Sequence, residues 1–297
     1  MSLDHDKKVT APVWGESKTT GIAIGVLAYF VFALHDAAIK WLVADIPVWE
    51  VLFFRSGTIL AVCLAIGRRA LLERAAASTL KRPLAFRGVI NLTAWLCYYS
   101  AARSLPLAQL LSLYFAAPLM ITVMARQILQ ERVTRARWIS VGIGFIGVLF
   151  ASDPTSLRAS FPALLVLIAA ALWGYGIILM RQIARMEPTL LQMLWINTVF
   201  FIATGVACWF HWQPVTTQQA AMLIGVGLIG GLAQFLVFEA ARMIPASVMA
   251  TVEYSALPWA FVLGYWIWRD IPAAPVFFGA ALIILAGALL VRAERQS

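Results

Sequence analysis

Charge is what this sequence has least of. Of 297 residues only 12% are Asp, Glu, Lys or Arg, and the acids number 14. A soluble globular domain carries about 25% charged and about 45–50% apolar residues, whereas here 62% are hydrophobic and the mean hydropathy is +0.85. So few charges cannot coat a water-facing surface, which excludes a soluble domain, and the net charge of +9 is not taken as a nucleic-acid footprint. Cysteine is equally scarce. Cys63, Cys97 and Cys208 lie inside apolar runs with no CxxC pair, so neither a disulfide framework nor a zinc site is indicated. Histidine is limited to His5, His35 and His211, and neither HxxxH nor GxSxG occurs. Without a nucleophile–base pair or a metal cluster, a membrane-embedded enzyme is disfavoured and no cofactor is expected.

What is abundant is apolar sequence in lengths that cross a bilayer. A span of about 20 apolar residues traverses lipid as a helix, because a helix satisfies its own backbone where no water is available. Ten such runs are counted, at 20–43, 48–67, 85–103, 107–128, 134–151, 161–182, 189–211, 218–242, 246–267 and 271–291. The expected fold is all-α and integral to the membrane. Residues 1–18, with Asp4, Lys7, Lys8, Glu16 and Lys18, read as a cytoplasmic tail rather than a cleavable signal. With the N-terminus inside, the 68–83 and 129–137 connections and Arg181, Arg185, Arg242, Arg292 and Arg295 are cytoplasmic. Only Arg103, Arg158 and Arg269 then stand in outer loops. That asymmetry fits the positive-inside rule and returns the C-terminus to the cytoplasm of a plasma (inner) membrane.

The chain also repeats itself. "AARSLP" at 101–106 recurs as "AARMIP" at 240–245, Pro118 is answered by Pro258, and Glu131 by Asp270. With "AL" at 33–34 answered by "AL" at 171–172, the offset is 138 to 140 throughout. One such hairpin is ordinary turn chemistry: small residues for close approach, arginine at a helix C-terminus, and proline in the next first turn. Two copies in register imply duplication, with repeats at 19–152 and 161–297 joined by an extracytoplasmic linker at 153–160. Five spans per repeat is an odd number, so the second repeat enters the membrane inverted. Inverted repeats underlie secondary transporters, in which two related halves expose a midplane site to each face in turn.

The five-plus-five arrangement, the AARxxP hairpins, "YFAAPLM" (114–120) and "YSALPWA" (254–260), the acid after each fourth span, and the glycine-bearing "GIGFIG" (142–147) and "GAALIILAG" (279–287) together resemble the drug/metabolite transporter superfamily. Within it the chain is similar to the EamA-type branch, which includes YddG-type amino acid exporters. That resemblance covers residues 20 to 292. It implies a ten-helix bundle whose central cavity is lined chiefly by spans 1, 3, 4, 6, 8 and 9, and export of small metabolites. The pair Trp173-Gly174 in span 6 faces His35-Asp36 at the matching positions of span 1.

Polar residues inside spans are the candidate site, since an ionised side chain at the bilayer centre costs about 2.5–3.5 kcal/mol on insertion scales and usually pairs or faces water. In "ALHDAAIK" (33–40), Asp36 and Lys40 are four apart and either form a local pair or face a wet cavity beside His35. Arg55 is assigned a stabilising task, as counter-ion of Asp36 or Glu50. On span 3, Asn91, Trp95, Tyr98 and Tyr99 gather on one helical face, as a cavity wall or as aromatic packing. Trp173 and Tyr175 of span 6, flanked by Gly174 and Gly176, and Glu253 and Tyr254 of span 9, ahead of a kink at Pro258, complete the set. Glu239 and Arg242 read as a solvated pair, and Asn197 and Gln234 as amides bonding across helices.

A pocket with both charge signs and an aromatic wall complements a zwitterion. The expected function is therefore export of amino acids, aromatic or hydrophobic ones included, with a sugar-phosphate or nucleotide-sugar carrier as the alternative. The expected partners are a small-molecule substrate and the lipid bilayer, not nucleic acid, with the protein a monomer or a homodimer.

Overall fold

The computed structural model describes residues 17–42, 46–102, 104, 113–151, 161–184, 186–268 and 274–295. All regular structure among them is helical. In chain order the helices are α1 (Lys18–Leu42), α2 (Val48–Ala77), α3 (Lys81–Ala102), α4 (Ala117–Ile128), α5 (Arg135–Ala151), α6 (Phe161–Ala184), α7 (Thr189–His211), α8 (Thr217–Met243), α9 (Ala246–Glu253), α10 (Ala256–Trp268) and α11 (Ala274–Arg295). Five of them, α1, α2, α6, α7 and α8, are long and apolar enough to cross a membrane. Of the sequence expectations, the first residues of span 4, the linker at 153–160, most of the tail, Arg103, Arg158, Arg185, Arg269 and Asp270 lie outside the described residues.

Local sequence sets the helix boundaries. Pro47, Pro188 and Pro245 stand at the N-caps of α2, α7 and α9, where a missing N–H is harmless and the fixed φ leads into the first turn. Thr216 and Gln219 close α8 with a reciprocal capping box. Helix α2 runs past the apolar span expected at 48–67: Arg68 takes φ 47° and ψ −148°, and the helix-forming run "RALLERAAA" resumes beyond the kink. The expected span 9 is likewise divided. Tyr254 and Ser255 form a turn between α9 and α10, because the ring of Pro258 clashes with the carbonyl four residues back, that of Tyr254.

The packing follows a consistent exchange rule. Helix α1 packs on α8 and α3 on α6; α2 packs on α7 and α5 on α11; α2 also meets α8, and α3 meets α7. Swapping first-half helices for the second-half helices that match them in sequence leaves this pattern unchanged. Close contacts obey the same rule. An added Cβ on Gly88 of α3 would stand 2.9 Å from Val199 of α7, and one on Gly227 of α8 would stand 2.6 Å from Thr58 of α2. Gly227 follows Gly88 by the repeat offset. In lipid, where apolar surface gains nothing by leaving the solvent, such small-residue approaches drive helix association.

The outside of the bundle is apolar. Trp209, Phe210, Trp266, Phe161 and Phe277 are all more than 60% exposed, and they cluster at the end of α7, the end of α10 and the starts of α6 and α11, as an interfacial aromatic belt does. The interior holds the polar minority: His35, Arg55, Arg87, Asn91, Asn197, Gln234 and Glu253 are buried. This is a membrane protein by its surface as well as its composition.

Candidate functional site

A cavity lies where the two sets of helices meet. Helix α1 lends it Phe32, α2 Arg55, α3 Arg87, Asn91 and Trp95, and α6 Trp173, Gly176, Ile177 and Met180. Helix α7 adds Ile196, Asn197 and Phe200, and α8 adds Gln234, Val237 and Phe238. Its volume is about 30 Å³, room for roughly two water molecules. The lining corrects the expected set of spans. Spans 2 and 7 contribute, through Arg55 and through Ile196, Asn197 and Phe200, while among the described residues spans 4 and 9 contribute none of the lining.

Helix α3 presents its polar stripe to this space. Arg87, Asn91 and Trp95 recur every four residues and so share one face. Gly176 of α6 lies against that face: a Cβ there would fall 2.2 Å from Asn91 Oδ1, and its carbonyl accepts a hydrogen bond from Arg87 Nε at 3.3 Å. Arg87 Nη1 donates to Gln192 Oε1 at 3.1 Å, and the guanidinium lies 4.3 Å over the ring of Phe238. Tyr98 and Tyr99, expected on the wall, continue the row of rings away from it. Tyr99 meets Trp95 edge-on at 5.7 Å, and Tyr98 packs on Tyr99 at 5.8 Å and on Tyr114 at 4.9 Å. They are one helical turn beyond Trp95, past the end of the cavity.

The histidine of "ALHDAAIK" is fully buried, and it acts through Arg55. Arg55 Nε donates to His35 Nε2 at 3.2 Å, and His35 Nδ1 contacts Asp36 Oδ1 at 3.2 Å. With Nε2 accepting, the proton of a neutral ring sits on Nδ1, directed at Asp36. Arg55 also lies 4.8 Å over the ring of Trp95. Gly230 of α8 makes the arrangement possible, since a Cβ there would meet His35 Nε2 at 2.8 Å and Arg55 Nε at 2.9 Å. Asp36 is open to solvent while lying near Tyr98, Tyr99 and Tyr114. Its side chain is 69% exposed, because neighbouring helical residues point about 100° apart and His35 takes the inward direction. The side chain of Lys40 lies outside the described residues. Arg55 pairs with neither acid expected for it; Glu50 instead accepts from the backbone N–H of Gln213 at 2.5 Å.

Trp173 and Tyr175, two residues apart, point to opposite sides of α6. Trp173 lines the cavity and donates its indole N–H to Glu253 Oε1 at 2.9 Å. Tyr175 packs at 6.4 Å on Phe86, itself half exposed on the outside of the bundle, so it leaves the candidate site. Glu253 is buried behind Trp173 and beside the Tyr29 hydroxyl, and its Oε2 meets no hydrogen-bond geometry among the described residues. Tyr254 is a packing residue: an added Cβ on Gly144 would come within 2.4 Å of its ring, and it joins Phe115, Val148, Leu257 and Ile283 in a small apolar cluster. Gly144 thus packs α5 inside its own bundle. Two further expectations divide. Asn197 Nδ2 donates to Gln234 Oε1 at 3.1 Å, the interhelical bond anticipated, and both amides also line the cavity. Glu239, expected in solvent, is buried and accepts from Thr189 Oγ1.

Arg87 is a site residue the sequence reading passed over. Its position four residues before Asn91 was the available signal. Phe32, Phe200 and Phe238 carried none, since phenylalanine in an apolar helix says nothing of which way it faces.

Two stretches of the chain, 19–152 and 160–292, match the EamA-like transporter family. The chain belongs to that family. It is 27% identical over 290 residues to the pseudopaline exporter CntI of Pseudomonas aeruginosa, covering 93% of this chain and 97% of that one. It is 26% identical over 215 residues to a riboflavin transporter of Vibrio cholerae, with 71% and 70% covered. With an S-adenosylmethionine uptake transporter of Rickettsia bellii it shares 25% over 288 residues, 94% and 97% covered. A solved crystal structure shares the fold, at a TM-score of 0.75 and 16% identity over 94% of this chain and 99% of that one. This EamA-like protein is accordingly a small-molecule transporter of the drug/metabolite superfamily and not an enzyme.

Proposed function

We propose that this transporter exports small metabolites of the amino-acid kind, aromatic and hydrophobic members included, across the inner membrane. It does so by alternating access through the cavity between two inverted five-helix repeats, with both termini cytoplasmic. The observation that carries this reading is the cavity itself, which draws its wall from α1, α2 and α3 of one half and α6, α7 and α8 of the other. The exchange rule of the packing supports two equivalent halves, as does the match of the family to each half separately. A wall of Trp95, Trp173, Phe200 and Phe238 suits an apolar or aromatic body, and a guanidinium suits a carboxylate.

The relatives named above include both an exporter and uptake transporters, so direction is part of the proposal. Counterflow of labelled phenylalanine, leucine and N-acetylphenylalanine into proteoliposomes tests the cavity. Trp173→Ala and Asn91→Ala are expected to lower the rate at least about tenfold, the effect of losing one good contact near 1.4 kcal/mol. Rates unchanged in both variants would sink the assigned path. A phosphate-bearing substrate is the second reading, favoured by one observation: the cavity holds Arg87 as well as Arg55, a cation the sequence reading had not counted beside Lys40 and Arg55.

A further inference from the structure

Arginine lines this cavity, and among the described residues no Asp or Glu does. Arg55 and Arg87 are each 3% exposed, and among the described residues neither has a carboxylate within ion-pair distance. The partners of Arg87 are a carbonyl, an amide and a phenyl ring, all neutral. Those of Arg55 are the His35 ring and the indole of Trp95. Asp36 lies near enough for its charge to act on Arg55 but makes no ion pair with it: its Oδ1 contacts His35 Nδ1 at 3.2 Å, and its side chain is 69% exposed. Each guanidinium offers five N–H donors, yet Arg87 Nη2 and both Nη atoms of Arg55 donate to nothing among the described residues. A buried, unpaired cation is strongly unfavourable. It is tolerable in a transporter whose cargo delivers the missing charge.

The two cations are also spaced. Arg87 and Trp95, on which Arg55 lies, are eight residues apart on α3, about 12 Å at 1.5 Å per residue. A zwitterion would need an acid for its ammonium. Glu253, the acid nearest the wall, stands behind Trp173 with one oxygen engaged by the indole.

We propose that the cavity selects organic anions: a carboxylate on an apolar or aromatic body, with net charge below zero, read by Arg87 and Arg55. This rests on the cavity being the transport site and narrows the amino-acid class to members lacking a free ammonium or carrying an extra acid. It assigns Arg55 to the substrate, where the sequence had suggested a stabilising task.

A charge series of one shape tests it. Purified protein is titrated with N-acetylphenylalanine, phenylalanine and phenylalaninamide, and with phenyl phosphate as the phosphate arm, while tryptophan fluorescence and melting temperature are read. Affinity is expected to fall in the order anion, zwitterion, cation, by about tenfold or more from first to last. Arg87→Gln and Arg55→Gln are expected to cut N-acetylphenylalanine affinity at least tenfold, with Arg87→Lys between. A flat or reversed series, no response to any probe, folded glutamine variants that bind as before, or phenyl phosphate bound tenfold more tightly than the carboxylate would each overturn the proposal. Should the glutamine variants fail to fold, the series on the unmodified protein still decides. Arginine-dependent binding without flux in liposomes would sink the transport reading alone, and flux indifferent to substrate charge would sink this inference alone.

Discussion

At the residue scale, the site is built by glycines that admit polar side chains. Gly230 stands where any larger residue would strike both His35 and Arg55, and the contacted atoms are a ring and the Nε at the root of the guanidinium, neither free to swing aside. Gly230→Ala is therefore expected to displace Arg55 from His35 and lower stability by about 1–3 kcal/mol, the usual effect of overpacking. Thermal unfolding in detergent measures it, and a variant as stable as the parent would contradict the packing described. Glu253 makes a complementary case. Its Oε1 accepts from Trp173, so Glu253→Ala strands a buried indole N–H, a loss of about 1–3 kcal/mol, while Glu253→Gln keeps an acceptor in place. The glutamine variant is expected to melt near the parent and the alanine variant clearly below it, with the emission of Trp173 altered only in the latter.

At the element scale, helix ends are where the two halves hold each other. Helix α9 begins after Pro245 with no cap of its own, and the missing acceptor comes from the other half. The Glu131 carboxylate accepts from the backbone N–H of Ala246 at 3.1 Å and of Ser247 at 3.3 Å, and from the Ser247 hydroxyl at 3.0 Å. Arg137 braces the same serine at 3.2 Å. A carboxylate at a helix N-terminus satisfies orphan donors and meets the positive end of the dipole. Glu131→Ala should cost about 0.5–2 kcal/mol by the usual range for caps and should speed hydrogen exchange at the amides of Ala246 and Ser247. Unaltered protection there would mean that the cap holds nothing. The sequence had marked Glu131 only as an acid after a fourth span. That it caps a helix 115 residues away was not legible, because capping across helices leaves no local pattern. The divided span 9 was legible, since Pro258 fixes it, and so was the stripe from Asn91 to Trp95. Tyr175 and Tyr254 misled because residue type was read without azimuth: neighbours of a cavity residue in sequence are, on a helix, pointed elsewhere.

At the scale of the whole molecule, the contacts have the pattern that the duplication proposed from AARxxP would give. Phe115 and Tyr254 stand one repeat offset apart, each in the turn that follows its half's fourth-span entry, and they touch: ring centroids are 6.0 Å apart, with the Tyr254 hydroxyl 3.5 Å from the Phe115 carbonyl. Equivalent points in contact lie on or near the axis that exchanges the halves. If that axis runs in the membrane plane, equivalent connections open on opposite faces. The α2–α3 and α7–α8 connections are such a pair, with Thr79 and Gln213 exposed in them. Cys63 and Cys208 are buried and Cys97 half-buried; with all three replaced, Thr79→Cys and Gln213→Cys can be probed singly with an impermeant maleimide on intact spheroplasts. Gln213→Cys is expected to label from outside, and Thr79→Cys only after the membrane is opened. Labelling of both from one side would make the two halves parallel, and a parallel pair cannot interchange inward and outward forms by trading conformations.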